Sequence, residues 1–268
     1  MARKPAVAGM FYPFGSETLE RTLSGLFSGT KAGDFTCVVS PHAGYEYSGR
    51  TAAFAIKSLR PAETFVVLGP NHSALGHEFS IMSSGEWITP MGAIEIDSKL
   101  AAELKTCKVL GEDELAHVRE HSIEVQLPFL QHRFKNFRFV PISITNADYS
   151  GDFMDKCVIL GKHMAESIKG KSACIIASSD FSHYLPAKIA DGKDAKALEK
   201  IAMLDIAGFF RVLEKTDASV CGYGPIAVVM SAAKTMGMKG AMVISHTNSG
   251  DATGDYASVV SYYAIGFK

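Results

Sequence analysis

Three histidines of this 268-residue chain stand directly after apolar runs. Thr36 to Ser40 leads into Pro41-His42-Ala43-Gly44, and Thr64 to Leu68 leads into Gly69-Pro70-Asn71-His72. Cys174 to Ala177 leads into Ser178-Ser179-Asp180-Phe181-Ser182-His183. Short β-branched runs bounded by Gly, Pro, Asn and Ser read as buried strands that end in loops. Open α/β sheets bind their ligands outside the carboxyl ends of the strands. Three imidazoles delivered to that edge predict a metal site or a general acid/base site, because imidazole ligates metals when neutral and titrates near neutrality.

Other residues can join that chemistry. Asp180 lies three before His183, so the two can share a turn in which the carboxylate sets the ring's tautomer; the alternative is an Asx turn in which Asp180 caps backbone amides. Cys221-Gly222-Tyr223-Gly224-Pro225 precedes a helix, with Gly224 as a possible N-cap and Pro225 at the first helical position. A thiol there is favoured as thiolate by the helix dipole, which makes Cys221 the candidate reactive or metal-binding cysteine; the plainer reading is a small residue in a tight loop. His117-Val118-Arg119-Glu120-His121 matches H-x-x-E-H, a zinc-hydrolase pattern that requires both histidines on one helical face. Pro128 follows soon after, which favours His121 entering the cleft from a loop or helix start, with Glu120 or Glu124 nearby. The loop Asp251 to Asp255 lacks the bidentate Glu of a calcium loop and reads as structural or substrate-facing. Trp87 either covers the cleft or packs beneath it, and His77 reads as a loop residue.

Helical patterns are expected over Glu17–Phe27 with Ser16 as N-cap, and over residues 49–59, 98–106, 152–169, 190–204, 206–215 and 225–236. Between them lie strands at about 36–40, 64–69, 78–83, 92–97, 137–144, 172–178, 241–246 and 257–267, the last a candidate antiparallel strand. This alternation predicts a three-layer α/β/α sandwich around a mixed, largely parallel sheet. No linker, charge block or repeat divides the chain, so residues 1–268 read as one domain. A hydrophobic content of 47% allows an ample core, and a net charge of −1 argues against a nucleic-acid binder. No apolar window is long enough for a membrane span, and the N-terminal stretch is too short and broken for a signal peptide. Five scattered cysteines without a CxxC pair fit reduced thiols, so a cytoplasmic protein is expected. No GxGxxG, Walker A or GxSxG motif is present, which removes the simplest dinucleotide, NTPase and esterase readings.

Pro5-Ala6-Val7-Ala8-Gly9-Met10-Phe11-Tyr12-Pro13, Ser40 to Tyr45, Gly69 to His72, Glu120 to Glu124, Ser178 to His183 and Ser249 to Asp255 together resemble, in order, the motifs of the Memo family. The resemblance covers essentially the whole chain. Memo proteins are similar to class III extradiol ring-cleaving dioxygenases, which use non-haem Fe(II) in an α/β sandwich. The resemblance implies His42 and His72 as imidazole ligands and Cys221 where the dioxygenases place a carboxylate ligand. It implies His183 as the acid/base histidine and His121 as a pocket residue. The resemblance makes Fe(II) the expected cofactor, and thiolate in place of carboxylate softens the site so that it should accept Fe(II), Cu or Zn with less discrimination. The thiolate also puts ring cleavage itself in question.

Three functions follow as expectations. The first is an Fe(II)-dependent, dioxygenase-like oxidoreductase of unknown substrate, with metal on His42, His72 and Cys221 and with His183, Asp180 and His121 as the catalytic set. The second is a binding module that takes acidic or phosphorylated peptides in the same cleft, as the resemblance to animal signalling adaptors implies. The third is a zinc hydrolase. The resemblance to microbial members also implies a radical SAM partner protein; neither nucleic acid nor membrane is an expected partner.

Overall fold

The continuous apolar runs become the centre of a sheet covered on both faces, as unbroken Val/Ile strands require. The structure, a computed structural model, describes residues 2–146 and 148–268. In chain order the elements are β1 (Ala2–Arg3), α1 (Ser16–Phe27), β2 (Cys37–Ser40), α2 (Tyr45–Ser58), β3 (Thr64–Pro70), β4 (Phe79–Ile81), β5 (Glu86–Thr89), β6 (Gly92–Glu95), α3 (Ser98–Leu104), β7 (Gly111–Glu112) and α4 (Leu115–Val118). A single 3-10 turn (Glu124–Gln126) leads into α5 (Leu127–Arg133), followed by β8 (Arg138–Ile144), α6 (Gly151–Ser167), β9 (Ala173–Ser178), β10 (His183–Leu185), α7 (Ala187–Ala202), α8 (Ile206–Thr216), α9 (Tyr223–Thr235), β11 (Ala241–Asn248), α10 (Gly250–Thr253) and β12 (Val259–Phe267).

Among the described residues the main sheet has nine strands. Its centre, β2-β9-β3-β8, is parallel, with Val38 opposite Ile176 and Val66 opposite both Ile175 and Val140. The flanks are antiparallel: β4 on β8 at one side and β12 on β2 at the other. β11 pairs along one edge of β12, and β10 shares the opposite edge with β2. One face carries α9 with α6 and α8, and the other carries α2 with α1 and α5. The three-layer sandwich with a mixed, largely parallel sheet is therefore the observed architecture. A smaller sheet, β1-β5-β6, holds the N-terminus.

Burial explains the parallel centre. Every residue of β2, β3 and β9 is buried, so side chains must be satisfied by packing on both faces. The α9 helix is nearly all apolar, and its buried residues run from Tyr223 to Ala233, which is why it lies between the sheet and α6. The strands β2, β9 and β3 are neighbours and all point the same way, so their C-terminal ends open onto one edge. His42, Asp180 and His72 follow those three ends. Among the described residues, no helix is long and apolar enough to cross a membrane.

Candidate functional site

The edge is shaped by chain reversals the sequence demands. Pro41 ends β2, and α2 begins at Tyr45, four residues earlier than the helical pattern suggests, so His42 sits just before a helix start. His72 follows β3 with Asn71, whose side chain accepts from the Ser73 backbone and donates to the Leu75 carbonyl. Cys221 reaches the same place because Gly222 lies against the end of β9: a Cβ there would collide with the Ser178 carbonyl and the Ser179 side chain. The helix behind it starts at Tyr223 with Gly222 as N-cap, two residues before the start expected from Pro225.

The donor atoms of His42, His72 and Cys221 lie within 4.8 Å of one another. Cys221 Sγ is 3.2 Å from His42 Nε2, and the Asp180 backbone N–H donates to that sulfur at 3.2 Å. His42 Nδ1 meets Ser178 Oγ at 3.0 Å, and His72 Nδ1 donates to Glu120 Oε1 at 3.0 Å. Each ring is thus held through Nδ1 and leaves Nε2 for the cleft, the arrangement that orients ligating imidazoles. Glu120 itself cannot serve as a ligand without losing its partners, since its oxygens also accept the backbone N–H groups of His72, His121 and Ser122.

Electrostatics follow from burial and these partners. Burial pushes His42 well below the usual imidazole value, with His121 and His72 adding to the effect. Burial also opposes charge on His72, but the hydrogen bond and charge of Glu120 outweigh it and raise its pKa. For Glu120 burial works upward, and the bonds and charges of His72 and His121 overcome it, holding the carboxyl at about 2. Burial raises Asp180 to about 7 against the backbone amides of His42 and Ala43, and burial with the Asp180 charge keeps the Cys221 thiol well above its ordinary value.

The cleft around these groups has a volume of about 860 Å³. His121 stacks on His72 with ring centroids 4.7 Å apart, and Phe11 packs on the far side of His121 at 4.7 Å. Tyr47, Tyr184, Tyr223 and Tyr262 line the remaining wall. His183 Nδ1 donates to the Ser219 carbonyl at 2.8 Å, which leaves Nε2 as a free acceptor, and burial lowers its pKa.

Several expectations change. Asp180 does not set the tautomer of His183; its Oδ1 accepts the His42 backbone N–H at 2.8 Å, and a carbonyl from Ser219 does the work expected of it. The H-x-x-E-H string does not form one face. The α4 helix ends at Val118, His117 turns into the core against Trp87 at 5.8 Å, and Glu120 with His121 goes to the cleft. Trp87 is fully buried beneath the Arg3 guanidinium, so it packs and does not cover the cleft. Asp251 and Asp255 bind turn amides, Asp251 also taking the Tyr256 hydroxyl, while Ser249 and Thr253 of that loop reach the cleft. Ser16 is the first residue of α1, and Gly15 is the cap. Ser219 and Gln126 carried no motif, and Ser178, the first residue of the Ser178 to His183 motif, was given no role there.

The family profile described as Memo-like protein matches residues 3–266. The chain belongs to the Memo family. A MEMO1 family protein of Methanosarcina barkeri is 43% identical, with 98% of each chain covered, and one of Methanopyrus kandleri is 41% identical, with 100% of this chain and 99% of the relative covered. Among solved structures, an uncharacterized protein of Escherichia coli K12 is similar in fold, with a TM-score of 0.54 at 12% identity over 87% of this chain and 99% of that one.

Proposed function

We propose that His42, His72 and Cys221 hold a single metal ion, Fe(II) first and Cu or Zn as substitutes, and that this Memo protein is a metal-dependent oxidoreductase acting on a small organic substrate in the cleft. The convergence of the three donor atoms within 4.8 Å carries the reading. Two imidazoles held at Nδ1 with Nε2 turned to the cleft, and one thiol, fit such an ion; on binding it, His72 gives up the proton that Glu120 favours and Cys221 becomes thiolate. When bound, the ion supplies Lewis acidity and one-electron chemistry beside the substrate.

The chain's own residues do the rest. Glu120 orients His72, and Asp180 holds the turn that carries His42. His183, neutral and locked at Nδ1, takes a proton from a substrate hydroxyl at Nε2. His121, braced between His72 and Phe11, forms the wall against which a substrate lies, and the tyrosines limit water.

The alternative occupant, an acidic or phosphorylated peptide, is less well supported. Among the described residues no lysine or arginine lines the cleft, and such ligands are normally met by permanent cations. Metal analysis of protein purified anaerobically separates the readings. One iron per chain in the wild type, lost in His42→Ala and His72→Ala without unfolding, supports the oxidoreductase. Unchanged metal content in both variants, or peptide binding that survives chelation without oxygen uptake, contradicts it.

A further inference from the structure

Behind His42 lies a buried polar cluster that the proposed chemistry does not use. Ser178 Oγ donates to the Ser122 carbonyl at 2.6 Å, accepts from Gln126 Nε2 at 3.0 Å, and meets His42 Nδ1 at 3.0 Å. Gln126 Nε2 also donates to the Pro41 carbonyl at 2.8 Å, and Ser40 Oγ donates to Gln126 Oε1 at 2.8 Å. Ser40, Ser122, Gln126 and Ser178 are all fully buried. Their hydrogens can be assigned from what each partner is able to do.

A carbonyl only accepts. The Pro41 carbonyl therefore requires the NH2 end of Gln126, and this fixes which way the amide points. The Ser122 carbonyl likewise takes the single hydroxyl proton of Ser178. A serine hydroxyl has one proton and two lone pairs. With the proton spent on Ser122 and one lone pair on Gln126, only a lone pair remains for His42. The Nδ1 of His42 must then bring the proton.

We infer that Ser178, aimed by Ser122 and Gln126, is a positioning residue that locks His42 as the Nδ1–H tautomer and so presents the Nε2 lone pair to the cleft. The cluster ties the ends of β2 and β9 to the turn before α5, so the ring is held by three separate elements. In the absence of metal, Cys221 Sγ lies 3.2 Å from that lone pair and 3.5 Å from the Asp180 carbonyl, and its one proton is shared between these two acceptors. The tautomer follows from hydrogen bonding alone; its use for holding metal rests on the proposed function.

Nitrogen-15 and carbon-13 histidine NMR of the metal-free protein reads the tautomer directly, with the His42 signals assigned by their loss in His42→Gln. The expected wild-type pattern is protonated Nδ1 and unprotonated Nε2. Ser178→Ala should convert this to a mixture with substantial Nε2–H, because the ring loses its acceptor. Ser40→Ala is the control: it removes an equally buried hydroxyl of the same cluster but leaves the Ser122–Ser178–His42 line intact, and should keep the wild-type pattern. Co(II) titration, followed by thiolate charge-transfer absorption, should show affinity weakened about 10- to 100-fold in Ser178→Ala and little changed in Ser40→Ala. A wild-type Nε2–H signal overturns the inference, as does an unchanged pattern in Ser178→Ala. If Ser178→Ala does not fold, the wild-type spectrum still decides. If the tautomer behaves as expected while Co(II) fails to bind even the wild type, the positioning inference stands and the metal reading falls.

Discussion

Glu120 and Glu124 lie four residues apart in one short segment, both buried and both fully engaged, yet they serve different regions of the molecule. Glu120 is buried behind the cleft histidines and gathers His72, His121 and Ser122. Glu124 faces away and ties down the N-terminus: it pairs with Arg3 at 2.6 Å, accepts the Ala6 and Val7 amides, and takes the Tyr12 hydroxyl. Arg3 in turn stacks on Trp87 and donates to the carbonyls of His117 and Glu120. One carboxylate holds the cleft's imidazoles and the other organises the frame that brings Phe11 to the cleft. Buried charge is thus no guide to function by itself; what the charge touches decides.

This contrast can be broken at both ends. Glu124→Ala should have the largest effect on stability, about 3–5 kcal/mol by chemical denaturation, because it strands the buried Arg3. Metal content per folded molecule should stay at the wild-type level. A stable variant that has lost its metal would reverse the roles assigned to the two carboxylates.

His117 comes next. It belongs to the frame, fully buried, with both ring nitrogens unpartnered among the described residues. Burial and the Arg3 charge lower its pKa from 6.5 to about 4. The unfolded chain therefore takes up the proton first, so this contribution to stability is complete above pH 6.5 and is lost as pH falls toward 4. The loss amounts to about 3 kcal/mol at most. Denaturation midpoints from pH 7 to 4 should fall less steeply in His117→Leu than in the wild type. Parallel curves would show that the ring is not buried neutral.

Glu120→Gln should weaken metal affinity about 10- to 100-fold, measured by chelator competition, while costing less stability than Glu124→Ala. Wild-type affinity would mean that His72 needs no carboxylate to orient it. The smallest change is Tyr12→Phe, which removes one hydroxyl bond to Glu124 and should cost about 1.5 kcal/mol, with metal affinity untouched.

Much of the scaffold was legible because unbroken apolar runs admit few alternatives. The strand patterns at 64–69 and 172–178 became β3 and β9 almost residue for residue. The three histidine-bearing turns were legible for the same reason, since each follows such a strand. Short elements were not. β5 is four residues long between turn-forming Gly85 and Pro90, and β10 lies within a polar motif. Pro128 reads as a helix breaker but stands at the start of α5, where its missing N–H costs nothing. The partners of the site histidines were hidden for another reason. Ser178, Gln126 and Ser219 act through hydrogen bonds to residues far along the chain, and no local pattern of residue types records such bonds.

The most direct test of the proposed metal centre is X-ray absorption at the iron edge of Fe(II)-loaded wild-type protein and of Cys221→Ser. One sulfur ligand together with imidazole nitrogens, the sulfur absent in the variant, is the result expected from His42, His72 and Cys221. A coordination shell of nitrogen and oxygen alone in the wild type would contradict it.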